Sequence, residues 1–362
     1  MSRKVSRLTL LATTALLLIS CSSPQKSVPQ YNASKFGAIT QNRQFVGAHL
    51  PLFPIKQLVG NGKVVNSNDF LSQLTNVRTH ATGLTNKYAQ TYGKVSSWLA
   101  SGGKVSDLTR HGIQINQMRG EDGYQNVLMT GYYSPVIQAR RTPQGQFKHP
   151  IYAMPSQKRF TREQIYDGAL AGKGLELAYS NSMLENFLLG VQGSGYVDFG
   201  DGRLNYFAYA GQNGFKYASV GRLLVEDGEI PKEKMSVQAI REWGERNPHR
   251  VQGLLERNPS YVFFKNDPTG KVKGSAGVPL VALASVASDR SIVPSGSVLL
   301  VEMPLIDNAG NWTGRHELRL MVALDVGGAV KGQHFDLYQG IGDQAGHTAG
   351  LMKHYGRVWV LN

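Results

Sequence analysis

The chain has 362 residues, of which 41% are apolar and 18% charged, and its 39 Lys and Arg against 25 Asp and Glu leave a formal charge of +14. That apolar content excludes a disordered tail protein, and the length suits about two domains, each with a core of its own. The continuously apolar, charge-free run over residues 8–20 is shorter than the ~20 residues of a membrane-spanning helix, so a polytopic membrane protein is excluded as well.

At the N-terminus Arg3, Lys4 and Arg7 precede the apolar run Leu8–Ile19, and Ser20 and Cys21 follow. A basic segment, an apolar segment and a small-residue cleavage site make a secretory signal over residues 1–20. Leu18-Ile19-Ser20-Cys21 resembles the lipobox of bacterial lipoproteins, which implies that Cys21 is acylated and becomes the new N-terminus. Ser22 stands where an Asp favours inner-membrane retention, so the resemblance implies the periplasmic face of the outer membrane of a Gram-negative bacterium. Residues 21–36 read as a lipidated polar tether. Cleavage removes three basic groups and no acidic one, leaving a mature charge of +11. An exported basic protein meets anionic glycan and lipid rather than nucleic acid. The sole Cys, once lipidated, leaves none for a disulfide, a thiol nucleophile or a Cys-based zinc site.

From Asn68 to Ala100, Phe70, Leu71, Leu74, Val77, Tyr88, Tyr92, Val95 and Leu99 recur at three- to four-residue spacing, which predicts two amphipathic helices. Beyond Gly103 short apolar runs separated by Gly, Asn and Asp predict strands, among them Asn126–Thr130, Ser297–Glu302, Leu318–Leu324 and Arg357–Leu361. Asp307-Asn-Ala-Gly-Asn311 predicts a hairpin turn. Helices are predicted after the capping box Thr161–Gln164, over Asn181–Leu189 and over Ser236–Trp243. The fold class is mainly β with helical inserts, with barrels the expected closure.

Several familiar constellations fail. Gln192-Gly-Ser-Gly-Tyr196 and Gly340-Ile-Gly342 lack the strand-to-helix context of a dinucleotide site and read as turns. There is no Walker motif and no Gly-x-Ser-x-Gly elbow, and His347 and His354 have no further ligand pattern, so neither a metal nor a cofactor is expected. Three carboxylates are more telling. Asp289 follows the run Val281–Ala287, Asp325 ends an apolar strand before Gly327-Gly328, and Asp336 lies within Gly332–Tyr338. Carboxylates where strands give way to glycines suit a cleft, although Asp in Gly-rich loops also caps turns.

Asp289–Ser297, Ala323–Gly332 and Phe335–Tyr338 resemble a C-terminal three-aspartate module that forms part of a double-psi β-barrel. Thr130-Gly-Tyr-Tyr-Ser-Pro135, Gln192-Gly-Ser-Gly195, Gly221-Arg-Leu-Leu224 and Asn258-Pro-Ser-Tyr-Val-Phe-Phe264, met in this order, resemble the MltA family of lytic transglycosylases. Ser134 is a small departure, since the family more often has Thr there. The resemblance implies a double-psi β-barrel domain from both chain ends (37–130 and 269–362) and an inserted second β-rich domain (131–268), with glycan strands of peptidoglycan in the groove between them.

It further implies cleavage of the β-1,4 bond between N-acetylmuramic acid and N-acetylglucosamine by the muramoyl C6 hydroxyl, giving a 1,6-anhydro end. Asp336 then serves as the single acid and base, with Asp325 and Asp289 in support. Thr130, Tyr132, Tyr133, Tyr196 and Tyr338, beside motif residues, are the expected sugar contacts. Expected partners are peptidoglycan strands, outer-membrane lipid through Cys21, and wall-synthesis or remodelling proteins. Two alternatives stay open: a hydrolytic muramidase with a second carboxylate, and a non-catalytic glycan-binding lipoprotein.

Overall fold

The computed structural model describes residues 51–119, 126–157 and 159–362. The signal peptide, Cys21 and the tether lie outside the described residues.

The N-terminal part runs β1 (Phe53–Ile55), α1 (Ser67–His80), α2 (Thr82–Lys87), α3 (Ala89–Ala100) and β2 (Ile115–Gln117). The middle part runs β3 (Val127–Ser134), β4 (Val136–Arg140), β5 (His149–Tyr152), α4 (Arg162–Tyr166), β6 (Glu176–Ser180), α5 (Met183–Gln192), β7 (Gly195–Asp198) and β8 (Leu204–Gln212). It continues with α6 (Val220–Glu226), α7 (Val237–Arg246), α8 (Val251–Glu256) and β9 (Val262–Asn266). The C-terminal part is β10 (Ser285–Ala287), β11 (Val298–Ile306), β12 (Trp312–Asp325), β13 (His334–Ile341), α9 (Gly342–Leu351), β14 (Lys353–Gly356) and β15 (Val358–Leu361).

These strands form two sheets. Nine of them, in the order β1-β2-β15-β11-β12-β10-β13-β3-β14, come from both ends of the chain, and six, in the order β5-β6-β4-β7-β8-β9, come from the middle. The first sheet takes β3 as far as Ser134, and the second begins at Val136, so the change of sheet falls at Pro135. β11 and the last part of β12, Leu320–Leu324, read as near-continuous apolar runs because both their faces are covered. Val298, Leu300, Leu320 and Val322 pack against Phe70, Leu74, Val95 and Trp98 of the helices. Leu299, Val301, Met321 and Ala323 face Val127, Met129, Phe335 and Leu337 on the other side.

Locally determined elements form where the sequence predicts them. Thr161 caps α4 in a capping box with Gln164, Ser182 caps α5, and Ser236 caps α7. Asp307 Oδ1 accepts from the backbone N–H groups of Ala309 and Asn311, closing the hairpin between β11 and β12. Two predictions need revision. The 68–100 region is three helices, because the backbone leaves helical geometry at Ala81 and α2 buries no side chain that would hold it in line with its neighbours. The middle part is also more helical than expected. Leu184, Phe187, Leu223, Leu224, Ile240, Trp243, Leu254 and Leu255 of α5–α8 build a helical core beside the second sheet. α6 and α8 have seven and six residues, too few for a periodic signal.

Candidate active site

The site is made by strand register. β10 lies between β12 and β13, pairing parallel with the first and antiparallel with the second, and β13 pairs parallel with β3. A register shift between Val286 and Ala287 sets Ala287 opposite Asp325, while its other neighbour is Asp336, and Asp336 in turn lies opposite Thr130. Four adjacent strands thus present Asp325, Ala287, Asp336 and Thr130 in one row across the sheet. At ~4.8 Å per strand the two carboxylates stand about 10 Å apart at the backbone.

This row floors an open groove of about 870 Å³. Gln192, Lys216, Tyr217, Asn258 and Ser260 of the middle part form the facing wall, and Val326–Val330 follow Asp325 along the near edge. Thr130 Oγ1 donates to Asp336 Oδ1 at 2.7 Å. Burial pushes the Asp336 carboxyl up to about 6, the Thr130 hydrogen bond opposes that shift, and the charge of Asp325 adds to it. Asp325 is held differently. Its Oδ1 accepts from the N–H groups of Ser275 and Val326, both at 2.9 Å, and its Oδ2 accepts from the Tyr132 hydroxyl at 3.1 Å. Burial, followed by the charges of Asp325 and Asp336, drives the Tyr132 hydroxyl well above its ordinary value, so it stays a donor. The groove therefore holds one carboxyl able to carry a proton near neutrality and one fixed acceptor beside it.

Other candidates lie elsewhere. Asp289, expected to support Asp336, does not line the groove. Its Oδ1 accepts from the Ser291 N–H and hydroxyl and its Oδ2 from the Gly332 N–H, bonds that hold its carboxyl below the usual range, the Ser291 hydroxyl most of all. It ties the 289–293 turn to the start of β13.

Tyr132 lines the groove, but three tyrosines expected there do not. Side chains alternate along a strand, so Thr130 and Tyr132 face the groove while Tyr133 points the other way. Tyr133 is 5% exposed and its hydroxyl accepts from Arg241, which is itself paired with Glu185. Tyr338 (2% exposed) packs beside Tyr132 on the same face of the sheet with its hydroxyl on Ser134, and Tyr196 (6% exposed) donates to the Gly270 carbonyl and packs on Tyr206. Both are buried in a cluster with Tyr206 and Val272 next to Tyr132. Tyr217, half exposed on the facing wall, is the aromatic that sequence reasoning missed. It sits in a segment without periodicity, so no pattern signalled it. His334, which also lines the groove, lies in the Gly332–Tyr338 segment, where no spacing singles it out.

Gly131 explains why the Thr-Gly-Tyr order is needed. A Cβ there would stand 2.8 Å from the Ala349 Cα of α9, so the helix can lie on β3 only above a glycine. Gly131→Ala is expected to cost about 1–3 kcal/mol through overpacking and to lower kcat by displacing Thr130. Thermal unfolding together with rate measurement checks this; an unchanged Tm with an unchanged rate contradicts it.

The fold and the groove define an enzyme whose Asp336 carboxyl, raised by burial, lies on the floor of an open channel between two β-rich units. The family profile described as the MltA specific insert domain matches residues 128–265, and that of the 3D domain matches residues 284–362. The membrane-bound lytic murein transglycosylase A of Escherichia coli strain K12 is 51% identical over 357 residues, covering 97% of this chain and 94% of that protein. The Vibrio cholerae serotype O1 protein of the same name is 43% identical, covering 98% and 94%. The crystal structure of E. coli MltA with bound chitohexaose superposes with a TM-score of 0.85 at 50% identity, covering 92% of this chain and 99% of that one. The chain belongs to the MltA family of lytic murein transglycosylases.

Proposed function

We propose that this protein cleaves the β-1,4 bond between N-acetylmuramic acid and N-acetylglucosamine in peptidoglycan and leaves 1,6-anhydro ends, with Asp336 as acid and then base. The observation that carries this reading is the pair of unequal carboxyls on the groove floor. Protonated Asp336 donates its proton to the leaving glycosidic oxygen as the C1–O bond breaks. The carboxylate so formed takes the proton of the muramoyl C6 hydroxyl, whose oxygen closes on C1. Asp325 accepts three hydrogen bonds from fixed donors, which suits it to offset the positive charge developing on the sugar rather than to activate a water. A hydrolytic enzyme needs a second carboxylate free for that task.

Relatives support the substrate class, since the E. coli and V. cholerae proteins are named lytic murein transglycosylases and the E. coli structure holds a chitohexaose. In this reading residues 37–130 and 269–362 make a double-psi β-barrel and 131–268 the inserted domain. Cys21 carries the lipid anchor that holds the protein at the outer membrane, facing the periplasm. Relatives are named membrane-bound, and among the described residues no helix is long and apolar enough to cross a membrane.

Mass spectrometry of muropeptides released from purified murein by a form lacking residues 1–21 tests the reaction. Products lighter by one water than the hydrolytic ones are expected; reducing-end products overturn the reading. The mature charge of +11 is expected to aid adsorption to an anionic wall. Raising ionic strength from 0.1 to 1 M shortens screening from about 10 Å to about 3 Å, so binding to intact sacculi should weaken severalfold while kcat on short soluble glycans holds. A pull-down across that range checks this, and salt-independent binding contradicts it.

A further inference from the structure

A second cavity, of about 450 Å³, lies in the middle part of the chain between the β5–β6 hairpin, α4 and α5. Arg162, Phe187, Gly190 and Val262 line both this cavity and the catalytic groove, so one layer of side chains divides the two. Its size is that of a small-ligand site, and its walls have the make-up of one, aromatic and apolar surface with a few polar groups. Tyr152 and Tyr261 line it although they are only 3% and 7% exposed. Among the described residues nothing bonds their hydroxyls or that of Tyr179, which also lines it. Asn186 Nδ2 donates to the His149 and Pro150 carbonyls, while its buried Oδ1 has no partner among the described residues. Buried hydroxyls and amides are normally bonded, and four such atoms around one cavity point to a polar ligand.

Charge narrows its chemistry. Lys148 and His149 stand at one end of the β5–β6 ladder, and at the other end Tyr152 pairs with Glu176. Three residues at ~3.4 Å each put the two ends about 10 Å apart. Both Lys148 and Glu176 line the cavity, and neither forms an ion pair among the described residues. Glu176 Oε1 accepts from the Gly172 N–H at 2.9 Å, which leaves its second oxygen to a ligand. An N-acetylated sugar chain is neutral and answers neither charge; a peptide bearing carboxylates and an amino group answers both. Murein carries such a peptide on its muramoyl residues. At up to ~3.5 Å per residue, two or three residues of extended chain cross one layer of side chains.

We propose that this cavity binds the peptide substituent of a muramoyl residue lying in the groove, its carboxylates toward Lys148 and its amino group toward Glu176. This rests on the reading of the groove as a peptidoglycan site and adds a second point of recognition behind its wall.

The test is an NMR titration of the soluble Asp336→Asn protein with the free tetrapeptide L-Ala-γ-D-Glu-meso-diaminopimelate-D-Ala. Saturable binding with Kd of about 1 mM or tighter is expected, and chitohexaose, which addresses the groove, should not displace it. Tyr179→Phe removes one oxygen and should weaken binding about two- to tenfold; Glu176→Gln removes a charge and should weaken it about tenfold or more. Ala171 is an exposed lining residue outside the groove, and Ala171→Trp should block the cavity. With the active enzyme, kcat/KM on strands that keep their peptides should exceed that on amidase-stripped strands severalfold, and Ala171→Trp should abolish the difference. Absence of binding, displacement by chitohexaose, or full affinity in both Tyr179→Phe and Glu176→Gln overturns the proposal. If instead the parent enzyme releases only reducing-end products, the reading of the reaction fails, while the titration still reports on this cavity.

Discussion

Asp336→Asn is expected to abolish release of anhydromuropeptides and, above pH 6, to make the protein more stable than its parent. The loss of activity should be roughly 10³-fold or more, because one carboxyl serves both proton transfers and general acid–base catalysis is commonly worth ~10²–10⁴ per group. The gain in stability follows from the same shifted titration. Burial, reinforced by Asp325, moves the carboxyl from 3.8 to about 6 in the native state. The folded protein therefore binds that proton more tightly than the unfolded chain does. Stability falls as pH rises between the two values, and above pH 6 the whole cost of holding the carboxylate is present.

The shift converts to about 3 kcal/mol, and the open groove reduces the expected gain to about 1–2 kcal/mol. Asparagine never ionises and its side-chain oxygen still accepts from Thr130, so the variant escapes that cost. Denaturant unfolding at pH 4 and pH 8 reads it directly. The variant should match the parent at pH 4 and exceed it at pH 8; a pH-independent difference, or residual activity above about 1% of the parent, rejects the assignment.

Arg162→Met is expected to be the most damaging single change in the groove wall that leaves the floor untouched. Arg162 is 5% exposed at the start of α4. Its Nε donates to the Asn258 carbonyl at 3.0 Å, its Nη1 to the Tyr166 hydroxyl at 2.9 Å and its Nη2 to the Ser260 carbonyl. The guanidinium plane lies 5.0 Å from the ring centres of both Phe187 and Tyr261. Methionine fills most of that volume but supplies no donor, leaving two buried carbonyls short at about 1–3 kcal/mol each. A total of about 3–5 kcal/mol corresponds to a fall in Tm on the order of 10 °C.

Asn258 and Ser260 line the wall facing Asp336, so KM for glycan should rise as well. Arg162→Lys keeps the charge but not the fork and should recover less than half of the loss. A Tm within about 2 °C of the parent would show that the wall is held by other means.

What the sequence determined by itself is what depends on neighbours a few residues apart. Caps at Thr161 and Ser236 bond residues three positions on, Asp307 closes its own turn, and the apolar periods of 68–100 fix helices whatever they pack against. The carboxylates Asp325 and Asp336 were visible too, because a charge at the edge of an apolar strand demands a reason. The resemblance to known motifs singled out Asp336, and that added what spacing alone left open.

Only the tertiary structure decided which candidates meet. Thr130 and Asp336 are 206 residues apart, and they become neighbours through the parallel pairing of β3 with β13, which no local pattern encodes. The same pairing sends Tyr133 away from the groove while Tyr132 enters it, and leaves Asp289 to cap a turn. Tyr217 and His334 joined the site from a loop and from the first position of a strand, where neither hydrophobic period nor turn chemistry marks a side chain. Local free energies of a few kcal/mol or less select helices, caps and turns one at a time. The site exists only after long-range register is set, and register follows from burying both faces of the central strands at once.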